Sequence, residues 1–152
     1  MSSSSAKDAY ARENPSVLAF IGDAVYEVYI RKYVYEHKGG SAETLSNEAV
    51  KYVRAEAQAA AYDKLLPELT EAETSVARRA KNHKITSMPG NVDYLTYKKA
   101  TAFEALVGFL DLCGERERLQ YIFEKTIGVV ENEDIVIQRR QKHSSEKRGA
   151  KR

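Results

Sequence analysis

Asp23 and Glu104 are the two residues whose surroundings most need a chemical explanation. Asp23 sits in the middle of Asn14 to Tyr35, among Leu18, Phe20, Ile21, Val25, Val28, Tyr29 and Ile30. A carboxylate in such a stretch loses hydration and requires a hydrogen-bond partner, a counter-charge or a metal ion. Glu104 stands on a second apolar stretch, Tyr94 to Leu112. At about 100° per residue, Leu95, Phe103, Leu106, Val107, Phe109, Leu110 and Cys113 cover a broad arc, leaving Glu104 in a narrow stripe with Tyr97, Thr101, Gly108 and Asp111. If the two helices pack together, the carboxylates can meet, and they repel unless one takes a proton or a cation lies between them. With oxygen donors and no nearby His or Cys, the expected cation is Mg²⁺, which keeps several waters. Spacing alone leaves two plainer readings open: Asp23 and Glu27 as one solvated face, and Glu104 paired with an arginine.

A cationic cluster lies between these acids. From Arg78 to Lys99 the chain has six Lys or Arg (Arg78, Arg79, Lys81, Lys84, Lys98 and Lys99) against one Asp, with Asn82 and His83 among them. Such a run can bind phosphates by displacing the counterions condensed on a duplex. Its plainer reading is a solvated face.

The elements that must position these groups are helices. Asn14 as N-cap and Pro15 at the first helical position announce the first strong helix, which ends near His37, ahead of Gly39 and Gly40. A second helical region, with room for a bend, is predicted over about Ala42 to Leu66 from Leu45, Ala49, Val50, Val53, Ala57, Ala60, Ala61 and Leu65. Thr70 and Glu73 form a capping-box pattern opening a helix to about Arg79 or Lys81. Residues 82–92, with Pro89, Gly90 and Asn91, read as a loop. Asp93 caps the helix from about Tyr94 to Leu112, which Gly114 ends. A last amphipathic helix, about Glu115 to Ile127, uses Leu119, Ile122, Phe123 and Ile127 and stops at Gly128. With no strand alternation and no internal repeat, the fold class is all-α.

A chain of 152 residues makes one domain with a full core. The expected division is a flexible segment over 1–13, a folded domain over 14–128 and a basic, disordered tail over 129–152. The single cysteine, Cys113, excludes an internal disulfide and a cysteine metal cluster, and by helical phase it points into the core. Met1 to Ala6 is a polar serine run, and no later segment approaches the roughly 20 apolar residues of a membrane span. The expectation is a cytoplasmic protein without a membrane partner. The net charge of +2 is uneven: Gln138 to Arg152 holds seven Lys or Arg against one Glu, so the remainder is mildly acidic. Any affinity for nucleic acid must therefore come from local clusters.

Two blocks carry a family resemblance. Leu18-Ala19-Phe20-Ile21-Gly22-Asp23-Ala24-Val25-Tyr26-Glu27 resembles the signature helix of ribonuclease III, and Ala100-Thr101-Ala102-Phe103-Glu104-Ala105-Leu106-Val107-Gly108 resembles its second metal-binding helix. Leu45-Ser46 and Val53-Arg54 extend the similarity, which covers most of residues 15–127. Two departures stand out: the family's Glu four residues before the signature Asp is Ala19 here, and its Asp three residues before the second Glu is Thr101. Both departures, together with Arg79-Ala80-Lys81-Asn82-His83-Lys84 followed by Pro89, Asn91, Asp93, Thr96 and Tyr97, resemble the mini-ribonuclease III branch.

The resemblance implies a ribonuclease III-type helical bundle forming a homodimer, with Asp23 and Glu104 as catalytic, Mg²⁺-holding residues and Thr101 supporting a metal-bound water. It implies double-stranded RNA as substrate, gripped by Arg78, Arg79, Lys81, Asn82, Lys84 and Lys98 and recognised by shape. Products would carry 5′-phosphate and 3′-hydroxyl ends, and the cellular role would be maturation of the large-subunit (23S) ribosomal RNA precursor. The 24 residues after Gly128 are too few for a double-stranded-RNA-binding domain, so the catalytic domain itself is expected to hold the RNA. The competing reading keeps the scaffold without catalysis: a ribosome-associated RNA-binding protein, for which two missing family carboxylates would be the mark of decay.

Overall fold

The computed structural model describes the backbone of residues 3–85 and 87–150, with side chains described over 5–85, 87–132 and 142–149. Seven helices follow in order: α1 (Ser3–Ala11), α2 (Pro15–His37), α3 (Ala42–Val53), α4 (Ala55–Leu65), α5 (Glu71–Lys81), α6 (Tyr94–Leu112) and α7 (Arg116–Ala150). A single 3₁₀ turn, Leu66–Glu68, joins α4 to the α5 cap. No strand occurs among the described residues, and none of their helices is long and apolar enough to cross a membrane.

Local chemistry sets several ends. Asn14 Oδ1 accepts from the Ser16 N–H at 2.8 Å, with Pro15 at the first helical position of α2. At α5, Thr70 Oγ1 accepts from the Glu73 N–H while Glu73 Oε1 accepts from the Thr70 N–H, a reciprocal capping box. Asp93 accepts from the Thr96 N–H to open α6. Gly114, at φ 72°, leaves α6 in the left-handed region that a side chain disfavours.

The core is built on α6. Leu18, Tyr26, Ile30 and Val34 of α2, Leu65 of α4, Val76 of α5 and Ile122 of α7 are buried with Phe103, Leu106 and Val107 of α6 in one hydrophobic cluster. The Tyr26 ring stands edge-on to Phe103 at 5.0 Å, and its hydroxyl donates to the Tyr52 carbonyl at 2.7 Å. Each such large apolar side chain contributes roughly 1.5–3 kcal/mol by burial.

Four expectations are corrected. The region over 42–66 is two helices, because Arg54 takes an extended backbone (ψ 153°) and breaks the ladder, with Gln58 Nε2 donating to the Val53 carbonyl beside the break. Residues 3–11, expected to be flexible, form α1, whose Tyr10 and Ala11 pack against the core while Lys7 ion-pairs with Glu115. Gly128 does not stop the last helix: α7 passes through it, with buried Val130 beyond it and Glu131 accepting from the Tyr33 and Tyr52 hydroxyls at 2.5 and 3.0 Å. A mid-helix glycine costs only about 1 kcal/mol, less than these contacts return, so helix continues through the region expected to be a disordered tail. Leu95, placed by phase with the core, is 48% exposed at the open end of α6. Residues 1, 2, 151 and 152 of the two expected tails, and Thr86 of the expected loop, lie outside the described residues.

Candidate active site

Two glycines bring the acids together. A Cβ built on Gly22 would lie 1.7 Å from the Glu104 carbonyl oxygen, and one on Gly108 would lie 2.0 Å from the Leu18 carbonyl oxygen. Only hydrogen atoms fit there, so α2 and α6 touch backbone to backbone. Asp23, next to Gly22, is thereby set beside Glu104. In the sequence these glycines stand out only as motif positions and, for Gly108, as a member of the Glu104 stripe. Their signal was a glycine inside each helical pattern, which marks close backbone approach.

The two carboxylates differ in setting. Glu104 is half-buried in its stripe between α6's core residues, and burial first, then the charge of Asp23, raises its pKa to about 8. Asp23 is exposed on the rim, with a pKa raised by partial desolvation and then by Glu27 one turn on. The expected loss of hydration at Asp23 is therefore partial. Several of its apolar sequence neighbours, Phe20 and Val28 among them, point outward from the protein. The larger shift falls on Glu104, the more enclosed partner, which gives up its charge first. Glu27, whose charge acts on Asp23, is itself ion-paired with Arg31 at 3.0 Å.

Among the described residues, no group of three or more His, Cys, Asp or Glu side chains could hold a metal ion. The acidic centre is thus a two-carboxylate one. Its donors are hard oxygens in a partly desolvated setting, where burial raises the proton affinity of both acids and the charge of Asp23 raises that of Glu104 further, so the donor set fits a strongly hydrated divalent ion such as Mg²⁺. Thr101, one turn before Glu104, donates its hydroxyl to the Tyr97 carbonyl at 3.0 Å, which leaves its oxygen lone pairs to accept from a water.

The basic residues fall into separate groups. None of Arg78, Arg79, Lys81, Lys84 and Lys98 forms an ion pair among the described residues. Arg78, Arg79 and Asn82 line one cavity along α5. Lys84 and Lys98 line another with Thr101. The Lys98 ammonium lies 4.5 Å from the centre of the Tyr94 ring. Arg79 is partly committed, since its guanidinium donates to the Glu13 carbonyl. Lys99, counted in the same charge cluster, is paired with Asp63 at 3.0 Å. Cys113, expected in the core, is only half-buried against it at the end of α6.

A helical domain with two acids set together at a helix crossing and a separate set of unpaired cations suits a ribonuclease III-type endonuclease, and the family described as Ribonuclease III domain matches residues 16–115. The chain is 43% identical over 125 residues to a Mini-ribonuclease 3 of Thermoanaerobacter sp. (strain X514), covering 82% of this chain and 88% of that one. It is 40% identical over 117 residues to a Mini-ribonuclease 3 of Symbiobacterium thermophilum, covering 77% and 90%. A crystal structure of a protein from Fusobacterium nucleatum, 34% identical, superposes with a TM-score of 0.71 over 77% of this chain and 93% of that one. The chain belongs to the ribonuclease III family, in its mini-ribonuclease III branch.

Proposed function

We propose that the protein is a Mg²⁺-dependent endoribonuclease that cuts double-stranded RNA to 5′-phosphate and 3′-hydroxyl ends as a homodimer. The observation that carries the reading is the pairing of Asp23 with Glu104 at the Gly22–Gly108 contact, with the unpaired Lys84 and Lys98 lining a cavity that reaches Thr101, one turn from Glu104. Asp23 and Glu104 would hold the ion, which when bound polarises the phosphodiester and favours ionisation of an attacking water. Glu104, the more enclosed acid, fixes its carboxylate for that task, and Asp23 on the rim meets the strand. Thr101 orients a water by accepting its hydrogen, and Arg78, Lys81, Asn82, Lys84 and Lys98 hold the duplex by its phosphates. Arg79 joins them to the extent that its contact with Glu13 releases it.

The dimer reading is supported by α2. Val17, Phe20, Val28 and Tyr35 fall on one stripe of that helix and are 43%, 79%, 52% and 70% exposed. A largely apolar groove lined by Val34, Leu45, Ala49, Val50 and Val53, with the Glu27–Arg31 pair also lining it, runs alongside. A second copy crossing at α2 would cover this stripe in a self-complementary contact. The natural substrate in this reading is the large-subunit (23S) ribosomal RNA precursor, on the family resemblance alone.

The test is cleavage of a perfect RNA duplex against Mg²⁺ concentration. Asp23→Asn and Glu104→Gln should each lower the rate more than about 100-fold while duplex binding persists. Full activity in Asp23→Asn refutes the assignment. Binding without cleavage by the unaltered protein would favour the non-catalytic, ribosome-associated alternative.

A further inference from the structure

Between the first turn of α2, the loop that follows α5 and the start of α6 lies a cavity of about 150 Å³, whose lining includes Ser16, Lys84, Ser87, Tyr97, Lys98 and Thr101. No carboxylate is among its lining residues. Neither Lys84 nor Lys98 is ion-paired among the described residues, whereas Lys99, the next residue, is held by Asp63. The Tyr94 ring steers the Lys98 ammonium without neutralising it. Two uncompensated ammonium groups beside several hydroxyl donors make a seat for an anion. The volume is well below the roughly 300 Å³ at which sites for whole small molecules begin, so the cavity suits a phosphate group and not a base.

Position narrows the choice of phosphate. Thr101 precedes Glu104 by three residues on α6, about 4.5 Å along the axis, and Ser16 precedes Asp23 by two turns of α2, about 10 Å. An anion in the cavity therefore sits within a nucleotide or two of a phosphodiester placed at the acidic pair. The acids themselves repel the strand, so an anchor at this distance is what would hold the scissile linkage against them.

We infer that this cavity seats the backbone phosphate next to the scissile one on the strand being cut. Lys84 and Lys98 supply the charge, and Ser16, Ser87 and Tyr97 supply hydroxyl donors. The inference rests on the duplex-RNA reading above and adds positioning residues to it. Its signature is a loss in kcat larger than the loss in duplex affinity when the seat is emptied of charge, because one phosphate among many is released.

Single methylphosphonate linkages walked through a duplex with one mapped cleavage site provide the test, with kcat/KM measured for the unaltered protein and for Lys84→Gln/Lys98→Gln. In the unaltered protein, the lesion beside the cut should lower kcat/KM about 10- to 100-fold, the worth of charge-assisted hydrogen bonds. In the double variant the same lesion should cost no more than about twofold, while lesions at other phosphates keep their penalties. A penalty beside the cut that is undiminished in the variant overturns the seat alone. Failure of the unaltered protein to cut any unmodified duplex in Mg²⁺ would bring down the nuclease reading and the seat together.

Discussion

α2 and α6 resemble each other in composition and differ in what surrounds them. Each is apolar around most of its circumference, and each carries one glycine and one carboxylate at their crossing. On α6, every residue from Ala100 to Leu110 except Thr101 and Glu104 is buried, because α2, α4, α5 and α7 all pack on it. On α2, Val17, Phe20, Val28 and Tyr35 remain in water. The same hydrophobic density is therefore a finished core in one helix and an uncovered face in the other. The acids follow their helices: Glu104 is enclosed and strongly shifted, while Asp23 stands on the rim.

The largest expected effect breaks the crossing itself. Gly22→Ala puts a methyl group into the Glu104 carbonyl and should cost more than about 3 kcal/mol, read as a lower urea midpoint. An unchanged midpoint would mean that the helices do not touch. Phe20→Glu acts on the opposite face of α2. It should convert the proposed dimer to monomers in sedimentation at micromolar concentration while helical content stays, and a persistent dimer would place the interface elsewhere.

A pH series then tests the unequal acids. In metal-free protein, Glu104 binds its proton more tightly folded than unfolded, so its contribution to stability is full below about pH 4.5 and is lost as pH rises through about 8. Relative to the wild type, Glu104→Gln should gain stability over that window, and a pH-independent difference would deny the buried setting. The smallest effect is that of Gly128→Ala on α7. A Cβ there meets nothing within 4 Å, so the variant should be about 1 kcal/mol more stable; destabilisation would show that the helix does not run through this position.

Much of the framework was legible from short-range chemistry. The Asn14-Pro15 start, the Thr70-Glu73 box, the Asp93 cap and the Gly114 exit are each decided within four residues, and the backbone obeys them. The Arg54 break was legible only as room for a bend, and the passage of α7 through Gly128 and the helix ahead of Asn14 were not legible, because each of these two is settled by partners distant in the chain. Glu131 reaches Tyr33 and Tyr52, and Lys7 reaches Glu115. At the site, the residue types of Asp23 and Glu104 were readable, as was the charge of the 78–99 cluster. Which lysines stay unpaired was not: Lys98 and Lys99 are adjacent in sequence, and only Lys99 finds an acid.

The amino-acid sequence by itself determined an all-helical chain, the two carboxylates in apolar helices and the family to which they belong, because periodicity, caps and motif spacing are properties of neighbouring residues. The tertiary structure alone decided that Glu104 and not Asp23 is the enclosed acid, that glycine against backbone sets their approach, and that α2 keeps an open apolar face. Burial, proton affinity and close contact depend on what the other helices cover, and that is a property of packing in three dimensions.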